Sequence, residues 1–130
     1  MKREILYKAI RLDNGEWVEG SVTIDCNGNA TIWHPLKTPL GGFQRFDVDP
    51  DTICQYTEMD DKNGTKIFEC DILLETDTYC GEFVTEESVI KFFNGEWIAQ
   101  SDSSPWYTSL KAIDFNISEV TGNIHNKQPK

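Results

Sequence analysis

The sequence predicts an all-β fold with at most one short helix. Four of its nine glycines follow an asparagine, at Asn14-Gly15, Asn27-Gly28, Asn63-Gly64 and Asn94-Gly95. An Asn-Gly pair supplies the positive φ that both central residues of a type I′ hairpin turn require. The segments beside these pairs, such as 5–10 and 89–93, are rich in β-branched and aromatic residues and favour half-buried strands. Together these features indicate short strands joined by tight turns.

The first part of the chain predicts β-hairpins. Residues 5–10 lead into Asn14-Gly15, an apolar pattern follows from Trp17 to Ile24, and residues 30–33 come after Asn27-Gly28. The segment Pro35–Gly42 does not fit regular structure, because proline lacks an N–H donor and glycine costs conformational entropy. We expect a long loop and a subdomain junction there, ending near Phe46. The prediction is an N-terminal β-hairpin subdomain over residues 1–47.

Residues 48–126 form the second predicted region. We expect strands at 52–57, 71–75, from 82 onward, 89–93, 96–99 and 120–124, with a loop at 101–105. Trp106–Ile113 is the one candidate helical turn, because Trp106, Leu110 and Ile113 would share one side. The last four residues, 127–130, are expected to form a frayed tail.

Negative charge is concentrated in the middle of the chain. The net charge is −10, and residues 51–100 carry 3 basic and 12 acidic side chains, which gives −9. An acidic surface repels phosphates, so direct nucleic-acid binding is disfavoured. The same field suits a basic protein partner, whereas solubility alone is the simpler interpretation.

Segment patterns and cysteine spacing indicate the cellular compartment of the protein. The sequence has no apolar run long enough for a transmembrane helix and no signal-peptide pattern at its start, so we expect a cytoplasmic protein without membrane contact. The cysteines form no C-x-x-C pair, which favours buried or half-buried thiols over a zinc site: Cys26, Cys54, Cys70 and Cys80.

Three blocks of sequence resemble the YopX-like family of phage and prophage proteins. The first combines Arg3-Glu4-Ile5 with Asn14–Gly20, and the last is Val120–Asn126. The central block is the most specific, running from Gln55-Tyr56-Thr57 through Asp60–Gly64 to Ile67–Ile72. The resemblance implies a prophage origin and a mostly β fold, with an SH3-like, partly open β-barrel over residues 48–126. It brings no catalytic residue with it.

Two positions depart from the family pattern. The family favours Gly-Leu where this chain has Glu58-Met59, and a glycine where this chain has Cys70. Any positive φ at these residues would cost energy, because both carry a Cβ atom. Either the backbone there suits ordinary residues or the turns differ locally.

The sequence offers no catalytic or cofactor-binding constellation. His34 and His125 are the only histidines, and no P-loop, G-x-S-x-G or H-E-x-x-H motif occurs. Glu69 and Asp71 with Asp60 and Asp61 could form a carboxylate cluster for Mg²⁺ or Ca²⁺. The favoured interpretation is a solvated strand edge whose charges discourage aggregation. We therefore expect no enzymatic activity, no metal and no cofactor.

The leading hypothesis is a non-enzymatic accessory protein that self-associates and binds a basic host or phage protein. The alternative is a modulator of nucleic-acid transactions, acting as a mimic of DNA charge or as a weak nucleic-acid binder. An outward-facing phenylalanine in 92–93 could serve as an apolar anchor. The candidate partner surface consists of Glu58, Asp60, Asp61, Glu69, Glu86, Glu87 and Phe93.

Overall fold

The structure is a computed structural model that describes residues 5–101, 107–113 and 115–126. The predicted tail at 127–130, residues 102–105 of the loop predicted at 101–105, and Trp106 lie outside the described residues. The described strands form two antiparallel sheets, which confirms the all-β class. By its internal contacts the chain divides into two compact units, Met1–Tyr56 and Thr57–Lys130. The predicted boundary between a subdomain of residues 1–47 and a region of residues 48–126 stays a prediction.

The first unit is a meander of antiparallel strands. Its elements are β1 (Tyr7–Ile10), β2 (Trp17–Ile24), β3 (Ala30–Pro35), β4 (Phe43–Val48), a 3-10 turn (Pro50–Thr52) and the start of β5 (Cys54–Asp60). The strand order is β4-β3-β2-β1-β5. Ala9, Ile32 and Val48 form its buried core, with partly buried apolar side chains packed around them.

The second unit begins within β5 and continues with the longest strands of the protein. It contains β6 (Lys66–Phe68), β7 (Asp71–Tyr79), β8 (Glu82–Phe93), β9 (Glu96–Ser101), β10 (Tyr107–Ser109), a 3-10 turn (Leu110–Ala112) and β11 (Ser118–Asn123). The last five strands form a sheet in the order β10-β9-β8-β7-β11. Leu73 and Ile90 of this sheet form a buried core with Ile67 of β6. In the described part of the chain this sheet stays open, and the SH3-like arrangement stays a prediction.

Several predicted elements have different bounds. The loop after Pro35 ends at Gly42, and β4 begins at Phe43 where the loop was expected to continue to Phe46. The helical turn predicted for Trp106–Ile113 is a short strand followed by a 3-10 turn at Leu110–Ala112. Among the described residues, no helix has the length and apolar character needed to span a bilayer.

The Asn-Gly pairs form two kinds of turn. Asn94 and Gly95 have φ values of 51° and 78°, as a type I′ turn requires, and they connect β8 to β9. At the other three pairs only the glycine has a positive φ. At Asn27-Gly28 and Asn63-Gly64 the loop is one residue longer and ends in a left-handed glycine, the geometry of a type I turn with a bulge. At Asn14-Gly15 the loop is two residues longer and spans residues 12–15, and the N–H of Gly15 donates to the carbonyl of Arg11 at 3.1 Å. The type I′ expectation is therefore wrong for those three.

Two of the four cysteines are exposed, and both lie in hairpin turns. Cys26 and Cys80 are exposed, Cys54 is buried and Cys70 is half-buried. The expectation of buried or half-buried thiols is therefore wrong for Cys26 and Cys80. Hairpin turns extend away from the packed faces of a sheet, and for that reason their side chains reach solvent.

Glu58 and Cys70 adopt the left-handed backbone conformation that the family's glycines would allow. Their φ values are 71° and 68°. The two side chains are therefore held in a conformation that costs roughly 1–2 kcal/mol for a residue with a Cβ atom.

A pair of substitutions at Glu58 measures this cost. We expect Glu58→Gly to have a free energy of unfolding about 1 kcal/mol higher than Glu58→Ala, because both remove the side chain and only alanine keeps the clash of its Cβ atom. At Glu87, an exposed position of β8 without a positive φ, the alanine variant should be the more stable one. Urea unfolding of the four variants checks this. Alanine more stable than glycine at both positions would contradict it.

Candidate functional site

The four carboxylates of the possible metal cluster, three of which also belong to the predicted partner surface, differ in their burial in the second unit. Asp61 is 7% exposed and Asp71 is fully buried, whereas Asp60 is exposed and Glu69 is half-buried. The expectation that these residues form a solvated strand edge is therefore wrong for Asp61 and Asp71. Their burial requires internal partners, because a carboxylate without hydrogen bonds is costly to bury.

Asp61 connects the hairpin after β5 to strand β11. Its Oδ1 accepts hydrogen bonds from the N–H groups of Asn63 and Thr65, both at 2.9 Å, and its Oδ2 accepts one from the N–H of Val120 at 2.8 Å. Burial raises the pKa of Asp61, but these backbone hydrogen bonds and the nearby Lys62 outweigh it, so the pKa lies below its usual value. The carboxylate is therefore a structural group.

Asp71 makes a second connection between the central part of the sequence and strand β11. Its Oδ2 accepts a hydrogen bond from the N–H of Phe68 at 2.7 Å, and its Oδ1 accepts one from Asn123 Nδ2 at 2.8 Å. Asp71 and Asn123 also face each other across β7 and β11. The central and final blocks that carry the family resemblance thus meet at two buried carboxylates.

In the second unit, most of the exposed acidic side chains lie on a hairpin arm formed by the end of β7 and the start of β8. Cys80 and Gly81, with φ values of 53° and 83°, make a two-residue type I′ turn between paired Tyr79 and Glu82. The hairpin pairing reaches down to Ile72 and Val89. We call residues 75–87 the arm.

The register of the arm separates its side chains by chemistry. Successive residues of a strand point to opposite faces, so residues paired across the hairpin share a face. The pairs Glu75–Glu86 and Asp77–Val84 lie on one face together with Glu82, and Thr76–Thr85 and Thr78–Phe83 lie on the other. One face therefore carries four carboxylates, which belong to Glu75, Asp77, Glu82 and Glu86.

The arm also exposes large apolar side chains. Phe83 is 81% exposed and Val84 is 52% exposed. An isolated two-stranded hairpin is only marginally stable in water, and exposed apolar residues on it favour contact with another chain. Glu82 and Glu86 are exposed on the same face of β8, and their like charges make a cationic neighbour favourable.

The predicted partner residues are distributed unevenly around the second unit. Glu86 lies on the carboxylate face of the arm, and Glu87 lies on the opposite face. Glu58 and Asp60 are exposed on β5, outside the arm. Glu86 and Glu87 are thus exposed on the arm, whereas Asp61 is buried and has a structural role.

Phe93 lies at the far end of β8 in a small aromatic group. Phe93 is 41% exposed and packs edge-on against Tyr107 with ring centroids 5.5 Å apart. Phe92, on the opposite face of the strand, packs in the same manner against Trp97 at 5.0 Å. Both phenylalanines are exposed, so neither is a core residue.

The sequence analysis placed Glu86 and Glu87 on the partner surface, but it missed the hairpin that carries them and the exposed apolar residues Phe83 and Val84. The signal was present, because residues 82–87 combine β-branched and aromatic residues with three glutamates and precede a strand that was predicted separately at 89–93. The turn was missed because Cys80-Gly81 lacks the asparagine that marks a type I′ turn.

Comparison with known proteins gives one assignment. No protein of curated function matches the sequence significantly. The family model described as YopX protein matches residues 6–129, which include all three resembling blocks apart from residues 3–5 of the first. The chain therefore belongs to the YopX family.

Proposed function

We propose that this protein is a non-enzymatic accessory module of a phage or prophage that self-associates and binds a basic protein in the host cytoplasm. The single observation that carries the proposal is the arm, which combines a face of four carboxylates with exposed Phe83 and Val84. In protein interfaces of this kind, burial of the apolar anchor supplies affinity, and charge complementarity determines which partner binds.

The aromatic group at the end of β8 supports the self-association part of the proposal. Phe93 and Tyr107 share one face and are 41% and 50% exposed. Exposed aromatic side chains are enriched at interfaces because they bury a large area at low entropic cost. Lys91 and Glu96 flank these aromatic residues on the same face with opposite charges, so two copies would meet there with less repulsion than two acidic arms would experience.

The charge of the arm also favours a second candidate function, the modulation of nucleic-acid transactions. Carboxylates repeated on one face of a β-hairpin can imitate a row of phosphates and occupy the basic site of a DNA-binding protein. In that case duplex DNA competes with this protein for the partner. Retention of the protein itself on DNA at low salt would instead indicate weak direct binding, which its charge of −10 opposes.

A pull-down from bacterial lysate tests the proposed function. We expect the tagged protein to recover a basic protein in low salt and to lose it in high salt, because contacts between exposed charges are screened. Sedimentation velocity of the purified protein should show an assembly larger than the monomer that persists in high salt. A protein that remains monomeric at high concentration and recovers no salt-sensitive partner would contradict the proposal.

A further inference from the structure

Phe93, Ile98 and Tyr107 form a diagonal row on one face of the second sheet. Residues paired across neighbouring strands share a face, and so do residues two apart along a strand. Phe93 pairs with Glu96 in β9, and Ile98 lies two residues further along that strand. Tyr107 of β10 pairs with Gln100, which lies two residues beyond Ile98. Each step of the row therefore moves one strand across and two residues along.

The two aromatic rings of this row meet above Ile98. Phe93 and Tyr107 pack edge-on with ring centroids 5.5 Å apart, although β9 separates the strands to which they belong. Ile98 lies between them on β9 and is 3% exposed, whereas Phe93 is 41% exposed and Tyr107 is 50% exposed. The rings thus cover Ile98 and present apolar surface to solvent. We call these three residues the ridge.

Opposite charges lie on the two sides of the ridge. Lys91 on β8 pairs with Ile98, and Glu96 on β9 pairs with Phe93. Each is also two residues along its strand from the other of these two ridge residues, so both charges border the same step of the ridge from opposite sides. Lys91 is exposed, and its Nζ donates a hydrogen bond to Gln100 Oε1 at 2.9 Å, which holds the ammonium group beside the ridge.

We propose that two copies of this chain pack face to face at the ridge about a two-fold axis that runs along it, an inference that rests on the self-association in the proposed function. Half a turn about this axis exchanges the two sides of the ridge. Lys91 of one copy therefore faces Glu96 of the second copy, and the reverse contact forms at the same time. Such two-fold contacts are the commonest in soluble homo-oligomers, and in them one surface patch serves both subunits.

Charge complementarity selects a second copy as the occupant of this surface. A uniformly basic or uniformly acidic surface would place a like charge opposite either Lys91 or Glu96. A second copy related by the two-fold axis places an opposite charge against both. Burial of the aromatic rings supplies the affinity, which salt does not screen. Exposed ion pairs are typically worth less than about 1 kcal/mol each, but they determine the relative orientation of the two copies.

Charge reversal provides the direct test. Lys91→Glu places two carboxylates at both charge contacts and Glu96→Lys places two cations there, so each variant should self-associate at least about tenfold more weakly than the wild type. Mixing equal amounts of the two variants brings opposite charges together at both contacts. Sedimentation velocity of the mixture should therefore show a dimer at a concentration where each variant alone is monomeric. The double variant Lys91→Glu/Glu96→Lys should self-associate as the wild type does.

Matched controls separate the ridge from general effects of charge and apolar surface. Lys37→Glu and Asp51→Lys make the same charge changes at exposed positions of the first unit, and both should self-associate as the wild type does, alone and mixed. Phe93→Ala should weaken self-association at least about tenfold. Phe43→Ala, which removes a ring that is 61% exposed in the first unit, should leave it unchanged.

The outcomes separate this inference from the proposed function. If the wild type self-associates and the mixture of Lys91→Glu with Glu96→Lys stays monomeric, the two-fold packing is refuted and self-association through another surface remains. Equal effects of Phe93→Ala and Phe43→Ala would also refute it. If a single variant melts at a lower temperature than the wild type, the double variant decides, and a folded, monomeric double variant refutes the packing. A monomeric wild type would refute both this inference and the self-association in the proposed function.

Discussion

Replacing Asp61 with alanine should lower the free energy of unfolding by about 3 kcal/mol. Asp61 is 7% exposed and accepts hydrogen bonds from the N–H groups of Asn63, Thr65 and Val120. Hydrogen bonds to a charged group contribute roughly 1.5–3 kcal/mol, and a buried N–H left without an acceptor costs about 1–3 kcal/mol. Urea unfolding followed by tryptophan fluorescence measures the change. Asp61→Asn keeps one acceptor oxygen and should fall between alanine and the wild type.

The neighbouring residue supplies the control. Asp60 is exposed, so Asp60→Ala should change the free energy of unfolding by less than about 0.5 kcal/mol. The two substitutions remove the same charge one position apart, and only the internal one should destabilise the protein. Equal effects would show that Asp61 acts through surface charge and would contradict its structural role.

The same contacts give stability a pH dependence with a defined sign. The pKa of Asp61 in the folded protein is below the ordinary value of 3.8, so the unfolded chain binds its proton at a higher pH than the folded protein does. The stability contributed by the carboxylate is complete above that ordinary value and is lost as the pH falls through the folded pKa. The acid sensitivity of Asp61→Asn should be reduced accordingly.

Gly20→Ala should destabilise the first unit by at least about 3 kcal/mol. A Cβ atom at Gly20 would overlap the backbone carbonyl of Trp33, lying 2.8 Å from its carbon and closer still to its oxygen. Because the obstacle is backbone, the paired strands β2 and β3 must move apart to accept it, and overpacking of this kind typically costs 1–3 kcal/mol or more. The melting temperature and circular dichroism of the variant test this.

Gly122 offers a matched control in the other unit. A Cβ atom there would meet Asn126 Nδ2 at 3.5 Å and Ile72 Cδ1 at 3.9 Å, which are ordinary van der Waals distances. Gly122→Ala should therefore change stability by less than about 1 kcal/mol. Equal melting temperatures of Gly20→Ala and Gly122→Ala would contradict the claim that the close approach of β2 to β3 requires glycine at position 20.

The strands were predictable where side-chain pattern and turn chemistry agreed. Residues 17–24 alternate and follow a glycine turn, and they form β2. β4 was missed because its sequence, FQRFDV, follows a segment rich in proline and glycine and is largely exposed. Its only fully buried residue is Val48, so the sequence lacks the period-two signal by which a strand is recognised.

The buried carboxylates were not predictable from charge, because an acidic residue is normally exposed. A local signal for Asp61 does exist. Asp61 in DKNGT and Asp25 in DCNGN begin the same five-residue turn, and in both the side chain accepts from the N–H groups two and four residues later. The third acceptor contact, to Val120, depends on tertiary structure and has no signal in the local sequence.

The most direct test of this account is to measure how much of the basic lysate partner is recovered by wild-type protein and by Glu82→Gln/Glu86→Gln. The account predicts that the arm variant loses most of the partner while its melting temperature stays unchanged, and that Glu19→Gln/Asp51→Asn recovers as much as the wild type. Both variants change net charge by two and differ only in where the charges lie. Equal recovery by the arm variant and the wild type would contradict the assignment of the arm as the binding surface.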